Sequence, residues 1–169
     1  MVPNQKLLGR FAPSPTGPLH MGSLIAAVAS YCDIKQRGGR WHVRIDDLDP
    51  PRAAPNATES ILQTLSAHGL KSDLPIDYQS QHAANYTKVL NHLAPQSFFC
   101  TCTRKQLADF AVYPGTCRYN KKAIENAATR ISVGENKITF EDLILGKQEH
   151  DLGTEFGDCI IRRKDGLIA

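Results

Sequence analysis

Three cysteines and a tyrosine fall into the pattern Cys-x-Cys-x10-Tyr-x3-Cys, formed by Cys100, Cys102, Tyr113 and Cys117. Three thiolates supply most of a tetrahedral Zn²⁺ shell, and the fourth ligand in such sites is normally His, Asp or water. No histidine lies between Pro95 and Lys147. A tyrosine phenolate could serve only if the metal's field lowered a pKa that is ~10 in water. The spacing thus points to zinc and leaves the fourth ligand open, against the plainer reading of three reduced cysteines in a β-rich segment. The chain has five cysteines, an odd number that in a reducing compartment favours a metal site over disulfides. Cys32 and Cys159 stand apart and are expected to be small buried hydrophobes.

A second concentration of chemistry is the run Arg10-Phe11-Ala12-Pro13-Ser14-Pro15-Thr16-Gly17-Pro18-Leu19-His20-Met21-Gly22-Ser23. It joins an extended stretch, Lys6 to Ala12, to an apolar helix expected from about His20 to Gln36. A helix N-terminus offers unpaired N–H groups and the positive end of its dipole, so a nucleotide phosphate is the natural guest of such a turn. His20 in the first turn can donate a hydrogen bond to a phosphate whose charge grows in a transition state. Gly22 removes a side chain where a flat base or sugar could approach, and Ser14 and Thr16 add hydroxyl donors. The bland reading is a Pro-rich connection carrying a surface histidine. Asp46, Asp47 and Asp49 lie beyond the next strand and read as an acidic turn or a Mg²⁺ site.

The elements that position these residues follow a βαβ order. Gly38-Gly39 stops the first helix, and Trp41 to Ile45 forms the second strand, which implies a parallel sheet. Further helices are expected from Asn56, as N-cap, to a Gly69 stop, and from about His82 with Tyr86, Val89, Leu90 and Leu93 on one face. Beyond Pro95 the pattern is short and irregular, with β-like stretches at Arg130–Val133, Lys137–Phe140 and Asp158–Arg163. The end reads as a strand, an Asp165-Gly166 turn and the opening of a returning strand. The expected organisation is α/β: residues 1–95 as the first half of a nucleotide-binding domain, 96–157 as a small zinc-binding insertion with β content, and 158–169 as return strands.

With 169 residues, 41% hydrophobic and 22% charged, the composition is that of a globular protein. The longest apolar run, Leu24 to Ala29, is far below the roughly 18 residues of a membrane span. The N-terminal Met-Val-Pro-Asn-Gln-Lys lacks the apolar core of a signal peptide, so no membrane association and a cytoplasmic location are expected. A formal net charge of +3 permits an anionic partner without requiring one.

The run Arg10 to Ser23 closely resembles the first signature of class I aminoacyl-tRNA synthetases, the HIGH-type motif, in the form used by glutamate-specific members. Val43-Arg44-Ile45-Asp46-Asp47-Leu48-Asp49-Pro50-Pro51-Arg52 matches the next block of that family, in the right order and at a plausible separation. The resemblance implies a Rossmann-like catalytic domain in which Arg10 grips the side-chain carboxylate of glutamate and Phe11, Ala12, Pro13 and Ser14 complete that subsite. It implies that Asp46 pairs with the substrate ammonium group. The family usually has Glu there, so the reach is one methylene shorter and a water bridge or a shifted substrate is expected. ATP, with Mg²⁺, would lie on Ser14, Thr16, His20, Gly22 and Ser23, with His20 and Gly22 at the catalytic position.

The compact cysteine pattern resembles one branch of the family, the short paralogue that transfers glutamate to queuosine in the anticodon of tRNA(Asp). In that branch Tyr is a zinc ligand, which assigns the position of Tyr113 and makes the zinc structural. The branch activates glutamate with ATP without needing tRNA. By the same resemblance, a Tyr is expected immediately after Ala169, and a KMSKS-type loop and a further half of the nucleotide fold later still, so the chain is expected to be the front part of a family member. Two alternatives stay open here: a fragment of glutamyl-tRNA synthetase, and a non-catalytic zinc- or tRNA-binding remnant. A monomer is expected.

Overall fold

The computed structural model describes residues 7–169. Residues 1–6, which hold the expected start of the first extended stretch and the N-terminal run compared with a signal peptide, lie outside the described residues. The chain forms two compact units, one ending at Ala83 and one starting at Ala84.

In the first unit, β1 (Leu8–Phe11) leads into α1 (Met21–Gln36) and returns as β2 (Arg40–Ile45). β1 and β2 are parallel, with Arg10 opposite His42 and Phe11 opposite Val43. A short β3 (Asp77–Tyr78) adds in parallel on the far side of β2, giving the order β1-β2-β3. Alternation on β2 buries Trp41, Val43 and Ile45 while Arg40, His42 and Arg44 turn away. α2 (Ala57–Ala67) adds Ile61 and Leu65, one helical turn apart, to the same core.

α1 explains why its sequence is apolar almost throughout. Leu24, Ala27, Tyr31 and Ile34 form the stripe against the sheet, with Ala27 and Ile34 buried. Met21, Ile25, Val28 and Cys32 repeat at the same spacing on another stripe, and all four are exposed. The expectation that Cys32 is buried is therefore corrected: it belongs to the wrong stripe. Gly38 takes φ 68° at the end of α1, and Gly39 lies so close to Ile34 that a Cβ would come within 2.6 Å of its Cδ1. Asn56 precedes α2 as expected, but in a left-handed conformation (φ 59°) with no side-chain capping bond. The turn geometry, for which Asn is tolerated, decides the residue there.

Asp73 ties this unit together from a loop. Its carboxylate accepts from Lys35 Nζ at 2.6 Å on α1 and from the Trp41 backbone N–H at 2.6 Å on β2. The Lys35 hydrogen bond, then the Trp41 N–H, hold its pKa below the ordinary carboxylate value. A lowered folded-state pKa contributes stability above the unfolded value, ~3.9, and that contribution is lost as pH falls through this range. Thermal unfolding of Asp73→Asn should lie below wild type by a constant margin above about pH 5, with the gap closing toward pH 3. A gap that persists unchanged at pH 3 would contradict the linkage.

The second unit opens with α3 (Ala83–Leu93), whose first residue lies at the boundary, and continues into β4 (Ser97–Cys100). β4 pairs antiparallel with β5 (Ala128–Ile131), with Cys100 opposite Ala128, and β5 pairs antiparallel with β8 (Ile160–Arg162). β6 (Lys137–Asp142) and β7 (Gly146–Asp151) form a separate hairpin. The turn at Asp165-Gly166 forms as expected: Gly166 takes φ 88° and Arg162 bridges back to Ile168. Cys159 is exposed, again correcting the expected burial: it lies in the short irregular segment before β8, where Asp158 is the buried side chain. No helix among the described residues is long and apolar enough to cross a membrane.

Candidate functional site

The loop between β1 and α1 encloses a cavity of about 340 Å³ at the carboxyl end of β1. Of the sequence-predicted residues, Phe11, Ala12, Pro13, Ser14, Thr16, His20 and Ser23 line it, whereas Arg10, Gly22 and Asp46 do not. Backbone bonds fix the loop: Asp46 N–H donates to Pro13 O and Ala54 N–H to Pro15 O, both at 2.9 Å. Thr16 N–H closes a tight turn on Ser14 O, also at 2.9 Å. The loop is thus stitched to the segment that follows β2.

His20 is the N-cap of α1. Its Nδ1 accepts the Ser23 N–H at 3.2 Å, and its Nε2 lies 2.9 Å from Ser23 Oγ. A ring accepting at Nδ1 carries its proton on Nε2, so the Nε2–H is the donor toward the hydroxyl. An anion entering here would compete with Ser23 Oγ for that proton. α1 is sixteen residues long with no acidic residue in its first turn, so its positive end stays uncompensated. A Cβ at Gly22 would sit 3.1 Å from His20 Cε1. The small residue here therefore makes room for the imidazole itself, where the sequence suggested room for a base or sugar.

Asp46 is held by Arg44, with Nε to Oδ1 at 2.6 Å and Nη2 to Oδ2 at 3.0 Å. Asp47 accepts from Ser80 N–H and Oγ, and Asp49 from Arg52 Nε. The three carboxylates are each engaged by a different neighbour, which is the arrangement of a turn. The Arg44 tether was missed in the sequence, although its signal was there: residues two apart along a strand direction share a face.

The second cluster lies in the second unit. The Sγ atoms of Cys100, Cys102 and Cys117 all fall within 4.8 Å of one another, so the three could hold a metal ion. Cys102 and Cys117 sulfurs are 3.6 Å apart, and Cys100 Sγ is 3.5 Å from the Tyr113 hydroxyl. That hydroxyl oxygen also accepts the Cys117 N–H at 2.8 Å. β4 delivers Cys100, and the turn at Gly115 (φ 83°) brings Cys117 back under Tyr113. Burial acts on all these groups, yet hydrogen bonds from Tyr113, the Thr101 N–H and the other thiols outweigh it at Cys117 and lower that thiol to about 7. Burial together with the same neighbours pushes Cys102 up to about 11 and Tyr113 upward.

Residues far away in sequence brace this cluster. The Arg130 guanidinium stacks 4.0 Å from the Tyr113 ring centroid and donates to Asp158 O at 2.6 Å. The Asp158 carboxylate is fully buried and accepts from Arg118 Nε at 2.6 Å and from Val133 N–H at 3.2 Å. Forty residues separate Arg118 from Asp158, and no periodicity could have paired them. Removing one partner of a buried ion pair strands the other. Asp158→Ala should cost about 3 kcal/mol in urea unfolding, the low end for such pairs because Arg118 stays partly exposed. A loss under about 0.5 kcal/mol, typical of a surface change, would contradict the role given to the pair.

Comparison with known proteins supplies the context for this geometry. The family model described as tRNA synthetases class I (E and Q), catalytic domain, matches residues 6–140. A protein of Pseudomonas paraeruginosa named glutamyl-Q tRNA(Asp) synthetase is 48% identical over 165 residues, covering 96% of this chain and 56% of the relative. A protein of the same name from Ectopseudomonas mendocina is 46% identical over 169 residues, covering 98% of this chain and 58% of the relative. The chain thus spans somewhat more than half the length of the curated relatives it matches. Among solved structures, a glutamate tRNA ligase from Elizabethkingia meningosepticum in complex with its amino acid superposes with a TM-score of 0.81. It is 24% identical, with 98% of this chain and 40% of that chain covered. A glutamate-tRNA synthetase from Elizabethkingia anophelis gives 0.82 at the same identity and coverage. With most of its length matched by the family model and its Rossmann-like βαβ fold shared with these structures, the chain belongs to the class I (E and Q) tRNA synthetase family.

Proposed function

We propose that this chain carries the glutamate- and ATP-binding part of a cytoplasmic, monomeric ligase that activates glutamate without tRNA and transfers it to queuosine in the anticodon of tRNA(Asp). The observation that carries the reading is the cavity at the carboxyl end of β1, where Ser14, Thr16 and the His20 ring meet beside the uncompensated positive end of α1. The choice of acceptor is supported by the names of the relatives at 46–48% identity.

In the first step a glutamate α-carboxylate oxygen attacks the α-phosphorus of ATP, and the bond to the β-phosphate oxygen breaks, releasing pyrophosphate. The protein's share of such a step is orientation and charge stabilisation. The His20 Nε2–H, released from Ser23 Oγ, donates to a phosphate oxygen as its charge rises, and Gly22 leaves the ring room to turn. Ser14, Thr16 and Ser23 supply hydroxyl donors, and Phe11, Ala12 and Pro13 wall the cavity. Arg10, exposed at the end of β1, offers a planar fork for the glutamate side-chain carboxylate. Asp46 receives the ammonium group on the lone pairs that Arg44 leaves open. Mg²⁺ enters with ATP as part of the substrate.

Cys100, Cys102, Cys117 and Tyr113 would hold one zinc ion. In a tetrahedron with Zn–S of about 2.3 Å and Zn–O of about 2.0 Å, sulfurs stand about 3.8 Å apart and sulfur and oxygen about 3.5 Å apart. The separations of 3.6 Å and 3.5 Å in this cluster fit those edges. The metal would supply a structural cross-link, with no part in the reaction.

The test is glutamate-dependent ATP–pyrophosphate exchange by the purified ligase of which this chain is proposed to be a part. Exchange is expected with glutamate, and not with glutamine or aspartate, in the absence of any tRNA. Exchange that appears only when tRNA is added, or no exchange with any amino acid, would overturn the proposal.

A further inference from the structure

The second unit holds a cavity of about 470 Å³ that the reaction described above does not use. Beside Cys100 and Cys102, two of the proposed zinc ligands, its wall has two chemistries. Leu107, Ala128 and Ile160 give it an apolar part, while Arg104, Arg130 and Lys164 contribute donors that carry positive charge and cannot accept. Arg163 and Asp165 also reach the wall, and Asp165 pairs with Arg163 at 2.7 Å. The one carboxylate in the lining is thus already matched, the thiols of Cys100 and Cys102 are committed to the proposed zinc, and the other charged groups, Arg104, Arg130 and Lys164, are positive.

The donors are not used up. Arg104 is exposed and its side chain makes no hydrogen bond or ion pair among the described residues. Arg130 gives Nη1 to Asp158 O, and its Nη2 makes no hydrogen bond or ion pair among the described residues. A guanidinium is a strong charged donor, and an anion is the partner that engages it best. Lys164 donates to Thr101 O at 2.7 Å, which holds its ammonium group at the cavity and leaves two further donors.

We infer that this cavity is a nucleotide-binding site, which takes one phosphate on Arg104, Arg130 and Lys164 and one flat base against Leu107, Ala128 and Ile160. A volume of this size lies within the range of small-ligand pockets. Guanidinium groups favour phosphate by their fork geometry, and apolar walls accept the face of any base, so recognition here tolerates different bases. The nucleotide is either free or one residue of an RNA strand. The inference stands apart from the reading of the β1–α1 loop, whose residues share none of this wall.

The experiment uses the ¹⁵N-labelled full chain loaded with zinc, titrated separately with AMP, adenosine, inorganic phosphate and the 5′-phosphorylated ribodinucleotide pApA. AMP or pApA should shift amides in residues 100–107, 128–131 and 160–165, with adenosine and phosphate alone at least about ten-fold weaker. Tighter binding of pApA than AMP identifies an RNA strand as the source, and the reverse order a free nucleotide. Arg104→Glu should weaken AMP and pApA binding at this site about ten-fold without changing the zinc content. Ile160→Glu, at a partly exposed position, should do the same by placing a carboxylate against the base and the phosphate. Shifts confined to residues 10–23, or affinities at residues 100–165 unchanged by both variants, would overturn the inference.

Discussion

Cys117→Ser should reduce bound zinc from about one ion per chain to nearly none and unfold the second unit, leaving the first intact. The reason is the size of the core around the cluster. Its buried members are Phe98, Cys100, Tyr113 and Cys117, with Cys102 and Leu107 packed against them. Four of these six are the proposed ligands, so little apolar surface remains to hold the segment without the metal. Structural zinc contributes apparent binding energies of about 10–16 kcal/mol, more than such a core can replace. Metal content measured by mass spectrometry, alongside hydrogen exchange, tests this directly. Protection should vanish at Phe98–Cys100 and Ala128–Ile131 and persist at Trp41–Ile45 and Ile61–Leu65, whose core is separate. Full protection in both regions of a metal-free chain would contradict a structural zinc.

His20→Asn should lower the rate of glutamate-dependent pyrophosphate exchange about 10²- to 10³-fold while leaving thermal stability within about 0.5 kcal/mol of wild type. Asparagine is a good N-cap and can still accept the Ser23 N–H, so α1 keeps its first turn. What it lacks is the imidazole Nε2–H, which rests on Ser23 Oγ at the cavity wall and which an entering phosphate would draw away. Loss of one preorganised donor to a developing charge typically costs this much in rate. His20→Ala separates the two roles from the other side, since it should lose the same rate and in addition about 1 kcal/mol of stability with the cap. Equal rates for His20→Asn and wild type would remove His20 from the chemistry and leave it only its capping bond.

Much of this architecture was legible in the residues. The βαβ unit followed from the alternation of Trp41, Val43 and Ile45 and from the Gly38-Gly39 stop, because both report local backbone requirements. The cysteine cluster was legible because its members come from one short segment, and a turn at Gly115 suffices to close it. What escaped depends on contacts between distant segments. Asp158, just before β8, meets Arg118 and Val133 across forty and twenty-five residues of sequence. Arg130 of β5 reaches the ring of Tyr113, which lies beside Cys100, after β4 and β5 have paired. The misjudged cysteines share one cause: hydrophobicity alone does not say which stripe of α1, or which residue of the segment before β8, faces inward. Asn56 shows the limit of reading caps from residue type, since Asn serves an N-cap and a left-handed turn equally well.

The acceptor is the centre of the account, and labelled glutamate offered with three RNAs measures it. The purified protein, given ATP and Mg²⁺, would be incubated with tRNA(Asp) containing queuosine, tRNA(Asp) lacking it, and tRNA(Glu). Label is expected on the queuosine-containing tRNA(Asp) alone, released by nuclease with the anticodon fragment. Label at the 3′ end of tRNA(Glu), or equal label on tRNA(Asp) with and without queuosine, would contradict it.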